Sequence, residues 1–115
     1  MKLETHRDKR GTIKDIMVGK DFSVTYITFK KGAIRGNHYH KETSQMDYII
    51  SGKIECYMNG QVPVILESTG NMLHVPNQTH AYRALEDSQM ISICVGKRIG
   101  KNYSKDTYKL EIPLV

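Results

Sequence analysis

Residues 32–40 read GAIRGNHYH and are followed by Gln45 and then by Gly52. In an extended strand alternate residues point to the same face, so His38 and His40 would share one face. On a helix the same two side chains would diverge by about 200° around the axis. The glycines and asparagine before the pair, and the β-rich run after it, favour the strand. The sequence therefore predicts two convergent imidazoles.

The rest of the chain also favours short strands. Runs rich in valine, isoleucine, tyrosine and threonine recur between glycine, asparagine and proline, and helical periodicity is scarce. Asn59 and Gly60 predict a tight hairpin turn, with residues 61–66 as the returning strand. We expect about eight strands, a number that suits a closed all-β barrel or a jelly roll. They include residues 22–29, 47–51, 53–58, 61–66, 71–75, 80–85 and 90–95.

The spacing around the histidine pair resembles the first motif of the cupin family. That motif is a glycine, five residues, His-x-His, three or four residues, an acidic residue, six residues and a glycine. Residues 32–52 match it at every spacing, with Gln45 where the family usually has glutamate. Residues 70–80 resemble the second motif, shortened by one residue, and Ala84 stands where that motif has asparagine. The resemblance implies a cupin-type β-barrel, a double-stranded β-helix, with His80 as the third site histidine.

The resemblance also implies a divalent metal, because the family usually places His, His, Glu and His around one inside the barrel. The corresponding ligands here are His38, His40, Gln45 and His80. Three neutral imidazoles can hold Zn, Fe, Mn, Ni or Cu in an open site. Gln45 removes one negative charge and leaves a weaker carbonyl ligand. A polar pocket of three histidines without a metal is the alternative.

Two further segments resemble the small dTDP-sugar 3,4-ketoisomerases and related cupin-fold sugar epimerases. They are residues 8–13, DKRGTI, and residues 35–41, RGNHYHK; residues 102–109 resemble the terminal segment of those enzymes more weakly. In that group glutamine commonly stands at the position of Gln45, and histidines act as acid and base without a metal. The resemblance therefore implies a metal-free isomerase or epimerase of nucleotide-linked keto sugars as an alternative function.

Under that alternative, His40 is the expected base and His38 polarises the carbonyl or orients the substrate. Histidine suits proton transfer beside a carbonyl because its pKa is near neutrality without a large shift. Arg35 either binds phosphate oxygens through its planar guanidinium or forms a surface salt bridge. Both roles for Arg35 stay open.

Asp47 has the same strand parity as Gln45, so both would face the barrel interior. A buried carboxylate must be paired, which makes Asp47 either a partner of a site histidine or a catalytic acid or base. A local irregularity that turns Asp47 to solvent is the alternative. Tyr26, Tyr48 and Tyr82 are candidates to line the substrate pocket, although tyrosine is also common in strands.

Composition limits the classes of partner. The net charge is +5, but Lys and Arg form no run of five or six and do not alternate with aromatic residues, which argues against nucleic acid. No membrane span or export signal is recognised, so we expect a cytoplasmic protein.

His74 is expected to be structural, because Pro76 interrupts its parity with His80. Cys56 and Cys94 are expected to be buried, reduced thiols.

The 115 residues predict one domain, with a core over residues 20–96 and an extended C-terminal arm over residues 97–115. Because such an arm can cross to a second subunit, a homodimer is expected. We expect a metal-binding protein that acts on, or binds, a small polar or anionic metabolite. The metal-free isomerase and a non-catalytic ligand-binding protein are the alternatives.

Overall fold

The computed structural model describes residues 3–96 and 105–115, and over these ranges the secondary structure is entirely β. None of the described residues form a helix long and apolar enough to cross a membrane. The cytoplasmic location stays a prediction. Eleven strands lie in the described ranges: β1 Thr5–Asp8, β2 Gly11–Val18, β3 Phe22–Phe29, β4 Ile34–Tyr39, β5 Ser44–Ser51, β6 Lys53–Met58, β7 Val64–Glu67, β8 Asn71–His74, β9 His80–Ala84, β10 Ser88–Val95 and β11 Tyr108–Lys109.

The strands form two antiparallel sheets. The six-stranded sheet has the order β1-β2-β3-β10-β5-β8, and the five-stranded sheet has the order β11-β4-β9-β6-β7. One hydrophobic core lies between them, with Phe29, Ile49 and Met90 from the first sheet and Ile54 and Tyr82 from the second. This arrangement confirms the predicted all-β, cupin-type fold, although as two facing sheets rather than a closed barrel.

Alternation along each strand explains the core. Strand β5 alternates buried and exposed residues along its length, and β6 alternates buried with half-buried ones, because successive side chains point to opposite faces. Gly52 joins the two strands at a φ of +96°, and a Cβ at this position would lie 2.2 Å from the Ser88 hydroxyl oxygen. Glycine is therefore required there for both conformation and space.

The strand count exceeds the expected eight because β1, β2 and β11 lie outside residues 20–96. All four residues of β1 are exposed, so this strand carries no alternation that a sequence pattern could reveal. The turn at Asn59 also differs from the prediction. Of the two turn residues Asn59 and Gly60, only Gly60 has a positive φ. The returning strand begins at Val64 rather than at residue 61.

The described part of the C-terminal arm lies against the five-stranded sheet of its own chain. Strand β11 pairs with β4, and the Asn37 side chain accepts a hydrogen bond from the Leu114 N–H at 2.7 Å. The Asp106 carboxylate accepts hydrogen bonds from the Glu42 N–H at 2.9 Å and the Thr43 hydroxyl at 2.7 Å. Residues 97–104 of the predicted arm lie outside the described residues.

Candidate functional site

A β-bulge in β4 sets up the site. Gly36 pairs with Ala81, whereas His38 pairs with His80, so Asn37 is the extra residue. Gly36 and Asn37 have φ values of +89° and +58°, which glycine and asparagine tolerate best. Without the bulge, the residues at 35 and 38 would point to opposite faces. With it, the side chains of both line the same cavity.

Two paired strands of the five-stranded sheet, β4 with the residue that follows it and β9, bring three imidazoles together. One ring nitrogen from each of His38, His40 and His80 lies within 4.8 Å of the others. The ring centroids of His38 and His80 are 4.6 Å apart, and those of His40 and His80 are 5.3 Å apart. His40 and His80 are buried, while His38 is half-buried at the cavity wall. The grouping expected from the sequence is therefore present.

His80 presents a free lone pair to this cluster. Its Nδ1 lies 3.2 Å from the Gln78 carbonyl oxygen, which can only accept, so Nδ1 carries the proton. Its Nε2 is buried and has no hydrogen-bond partner among the described residues. Burial, together with the neighbouring histidines, lowers the pKa of His80 to about 2. The imidazole is thus neutral, with an unprotonated nitrogen available as a ligand.

His40 meets an acceptor on each side of its ring. Its Nδ1 lies 2.7 Å from the backbone oxygen of Asp106, and its Nε2 lies 3.1 Å from Oε1 of Gln45. The orientation of the Gln45 amide is fixed by Asp47, because the Gln45 Nε2 donates to both carboxylate oxygens at 3.1 and 2.8 Å. A neutral His40 carries a proton on only one of these nitrogens, so the other nitrogen presents its lone pair to an oxygen. A proton or a cation between the two atoms relieves this repulsion.

Asp47 is fully buried behind the cluster. Its carboxylate accepts hydrogen bonds from Gln45 and from the Tyr82 hydroxyl, and lies 3.5 Å from His74 Nε2. Burial by itself raises the pKa of Asp47, but hydrogen bonds from His74, Ser92 and Tyr82 and the charge interaction with His74 lower it overall. The inward orientation predicted from parity is correct, and the alternative of a solvent-facing Asp47 is wrong.

His74 belongs to the same buried network. Its ring stacks on His80 with centroids 4.2 Å apart, and its Nε2 is hydrogen-bonded to the Tyr82 hydroxyl at 2.5 Å. Parity over the six residues from His74 to His80 gives the correct face despite Pro76. The sequence contains this signal, but the proline and the turn after it obscure it.

A cavity of about 110 Å³ opens beside the histidines. Its wall includes Arg10, Arg35, His38, Gln45 and Tyr82. Arg35 is buried, donates to the Thr28 carbonyl at 3.1 Å, and lies 5.2 Å from the centroid of a phenylalanine ring. The alternative of a surface salt bridge for Arg35 is therefore wrong. The role of Arg10 was missed, although it lies in the segment DKRGTI that the sequence had singled out.

Two of the three candidate tyrosines point away from this cavity. Tyr48 is 41% exposed and lies on the face of β5 opposite to Gln45 and Asp47. Tyr26 lies opposite Ile91 on the same outer face. The structure therefore does not bring Tyr26 and Tyr48 to this cavity, whereas Tyr82 does line it.

The donor set fits a divalent transition metal. His80 Nε2 is a buried nitrogen with no partner among the described residues, and two other ring nitrogens lie nearby. The carbonyl oxygen of Gln45 completes a set of three imidazoles and one neutral oxygen. Imidazole-rich sites of this kind suit Zn, Cu, Fe and Ni.

Comparison with known proteins agrees with this geometry. A family model described as a cupin domain matches residues 25–96. No curated protein matches the chain in sequence. Many solved structures resemble it in fold.

Three of those structures indicate the range of similarity. KdgF from Halomonas sp. has a TM-score of 0.73 and 21% identity, over 83% of this chain and 87% of that one. The capsular polysaccharide assembling protein CapF from Staphylococcus aureus has a TM-score of 0.75 and 23% identity, over 96% of this chain but only 35% of CapF. Oxalate decarboxylase from Bacillus subtilis has a TM-score of 0.80 and 18% identity, over 94% of this chain and 30% of that one. At these identities the structures are similar in fold alone, and the family model, which covers most of the chain, assigns the protein to the cupin family.

Proposed function

We propose that this protein binds one divalent transition metal and acts on a small anionic metabolite held beside it. The ligands are His38, His40 and His80, with Gln45 as a neutral fourth ligand. The observation that carries the proposal is the 3.1 Å contact between His40 Nε2 and Gln45 Oε1, beside the Nε2 of His80, which has no partner among the described residues. A single cation satisfies all of these atoms.

The cavity indicates the class of metabolite. Arg35 is in its wall, and guanidinium groups bind carboxylate and phosphate oxygens through paired hydrogen bonds. The guanidinium of Arg10, also in the wall, is already paired with Asp8. The cavity volume of about 110 Å³ is well below the 300–1,000 Å³ typical of pockets for drug-sized ligands. A carboxylate or phosphate ester of a few carbon atoms therefore fits better than a larger molecule.

The reaction would follow from these placements. A bound metal supplies Lewis acidity toward a carbonyl or carboxylate oxygen. Arg35 holds the anionic end of the substrate, the buried walls around Tyr82 exclude water, and His80 stays neutral over the physiological pH range. Asp47 is proposed as a positioning residue rather than a catalytic one, because Gln45 and Tyr82 separate it from the cavity.

Metal analysis of the purified protein tests the proposal. We expect close to one transition-metal ion per chain, either as isolated or after incubation with Zn, Mn, Fe, Ni or Cu salts. The variant His80→Ala should lose it, while His6→Ala, whose side chain is 70% exposed far from the cluster, should retain it. Failure of every metal to bind the wild-type protein would contradict the proposal.

The metal-free isomerase is the second candidate. Gln45 in place of an acidic residue favours it, and CapF, a protein of capsular polysaccharide assembly, shares the fold. His40 and His38 would then transfer protons at the keto sugar. His38 is the better candidate for the group that contacts substrate, because it lines the cavity. Both ring nitrogens of His40 already have partners.

Binding assays separate the candidates. A panel of nucleotide-linked sugars should bind, and be turned over by, metal-stripped protein if the second candidate is correct. Small carboxylates and phosphate esters should bind the metal-loaded protein if the first is correct. Tight binding of a metabolite without turnover would instead support a non-catalytic ligand-binding role.

A further inference from the structure

Asp106 of the C-terminal arm contacts four consecutive residues of the loop after β4, residues 40–43. Its carboxylate accepts hydrogen bonds from the N–H groups of Lys41 and Glu42 at 3.0 and 2.9 Å and from the Thr43 hydroxyl at 2.7 Å. Its backbone oxygen lies 2.7 Å from Nδ1 of His40. Asp106 is 2% exposed, so water competes little for these contacts. The carboxylate thus fixes the position of the carbonyl that meets the histidine.

Neutral His40 has two tautomers, and the two neighbouring oxygens select between them. With the proton on Nδ1, the ring donates to the Asp106 carbonyl, and Nε2 keeps the lone pair that a metal ligand requires. With the proton on Nε2, the ring donates to Oε1 of Gln45 instead, and Nε2 cannot bind a metal. The hydrogen bond made by one ring nitrogen therefore determines whether the other can be a ligand.

The contact with Asp106 is the stronger of the two. N–H···O hydrogen bonds are most often about 2.9–3.0 Å long, so the 2.7 Å contact is short and the 3.1 Å contact with Gln45 is long. The docked arm therefore favours the proton on Nδ1. If the carbonyl moved away, the hydrogen bond to Gln45 would favour the proton on Nε2, because His40 is 2% exposed and a buried donor needs an acceptor.

Other contacts of the described arm hold this carbonyl beside β4. Strand β11 pairs Tyr108 with Tyr39, and the two rings stack with centroids 5.3 Å apart. Lys109 pairs with His38 in the same register. Nζ of Lys41 lies 4.3 Å from the centroid of the Tyr108 ring. The arm is thus attached to the chain both before and after residue 40.

We propose that Asp106 is a positioning residue for the metal site. It holds the proton of His40 on Nδ1 and so leaves Nε2 to bind the ion. The inference rests on the proposed metal-binding function. It adds to that function a residue that is 66 positions from His40 in the sequence and is not itself a ligand.

The tautomer of His40 in the metal-free protein tests the proposal directly. Nuclear magnetic resonance of protein with isotope-labelled histidine, at about pH 8 where an ordinary histidine is neutral, distinguishes a protonated from an unprotonated ring nitrogen. The variant His40→Asn lacks the signals of this ring and so assigns them. We expect the proton on Nδ1 in the wild type, and a shift of the proton toward Nε2 in Asp106→Ala. A wild-type ring protonated on Nε2, or an unchanged tautomer in folded Asp106→Ala, would overturn the proposal.

Thr43 supplies a milder pair of variants for metal affinity. Thr43→Val removes the hydroxyl that donates to Asp106 but nearly keeps the shape of the side chain, whereas Thr43→Ser keeps the hydroxyl. Competition with a chromophoric chelator should show Zn²⁺ bound about tenfold less tightly by Thr43→Val, while Thr43→Ser stays close to the wild type. Glu111→Gln, at an exposed position of the arm, is the control and should change nothing.

The outcomes separate this inference from the function on which it rests. Equal affinity of Thr43→Val and the wild type for Zn²⁺ would contradict the role of Asp106 and leave the metal site standing. A wild-type protein that binds no metal would contradict the proposed function, whereas the tautomer of His40 would still show whether the arm controls the ring.

Discussion

The carbonyl oxygen of Gln45 lies 3.1 Å from Nε2 of His40, and both atoms are acceptors when the proton of neutral His40 is on Nδ1, which faces the Asp106 carbonyl. Asp47 enforces this contact, since both of its carboxylate oxygens accept hydrogen bonds from the Gln45 amide nitrogen. The amide cannot rotate without facing its oxygen toward a carboxylate. In this chain, therefore, a glutamine at the position of the family's acidic ligand is held with its oxygen toward the histidine cluster.

Replacing Gln45 with glutamate should destabilise the metal-free protein. Two buried carboxylates would then lie about 3 Å apart, and Asp47 would lose its amide donor, so we expect a loss of about 3 kcal/mol in the free energy of unfolding. Added metal should recover more stability in Gln45→Glu than in the wild type, because the site gains a negative charge. Urea unfolding with and without Zn²⁺ measures both effects.

The control for this substitution is Gln61→Glu, since Gln61 is exposed in a turn. It should change neither the stability nor the response to metal. Equal stabilisation of Gln45→Glu and the wild type by metal would mean that position 45 is not a ligand.

Removing the charge of Asp47 should weaken the metal site without removing a ligand. In Asp47→Asn the amide of Gln45 can adopt either orientation, and loss of such a supporting hydrogen bond typically reduces metal affinity by 10–100-fold. Competition with a chromophoric chelator gives the affinity. Asp87→Asn, at an exposed position that caps a turn, is the control. An unchanged affinity in Asp47→Asn would exclude a positioning role for Asp47.

Alanine at Gly36 should cost more stability than alanine at Gly32. Both residues have positive φ, which costs an L-residue about 1–2 kcal/mol. At Gly32 a Cβ meets nothing within 4 Å, whereas at Gly36 it would lie 3.0 Å from the backbone oxygen of His80. We expect about 1 kcal/mol for Gly32→Ala and about 3 kcal/mol for Gly36→Ala, the excess reflecting overpacking.

Metal affinity distinguishes the two glycine variants further. Only Gly36→Ala pushes on the strand that carries His80, so only this variant should bind metal less tightly. If both variants lose the same stability and affinity, the close approach of the two strands does not position the site.

The thiol of Cys56 should be inert in the folded protein. Burial, together with the negative charge of Asp47, raises its pKa to about 12. In a Cys94→Ala background, Ellman's reagent at pH 8 should leave the folded protein unlabelled and react with one thiol after addition of guanidinium. Rapid labelling before unfolding would contradict the buried position of Cys56.

The fold and the histidine cluster follow from local spacing. His38 lies near the end of β4 and His40 directly follows that strand, so their spacing of two brings both rings to the cluster. Asp47 faces inward because it is two residues from Gln45 on β5. The same parity already excludes Tyr48 from the pocket. The sequence does not predict which face of β3 carries Tyr26, because the residues on both faces are apolar: Val24 and Tyr26 on one, Ile27 and Phe29 on the other.

What the sequence did not reveal depends on long-range pairing. The bulge residue Asn37 reverses the parity between Arg35 and His38, and it is recognised only from the pairing of β4 with β9. Arg10 reaches the cavity because β2 pairs with β3. Near residue 10 the sequence shows no alternation of apolar and polar residues from which the direction of this side chain could be predicted. The hydrogen bonds that the Asp106 carboxylate accepts from the loop after His40 join positions more than 60 residues apart.

The most direct test of the central claim is anomalous diffraction from crystals of the protein grown with Zn²⁺ or Co²⁺. We predict one anomalous peak per chain, about 2.0–2.3 Å from a ring nitrogen of each of His38, His40 and His80 and close to the Gln45 carbonyl oxygen. No peak at the three histidines, in crystals that contain the metal at millimolar concentration, would contradict the metal site and leave acid–base chemistry without a metal as the function of the cluster.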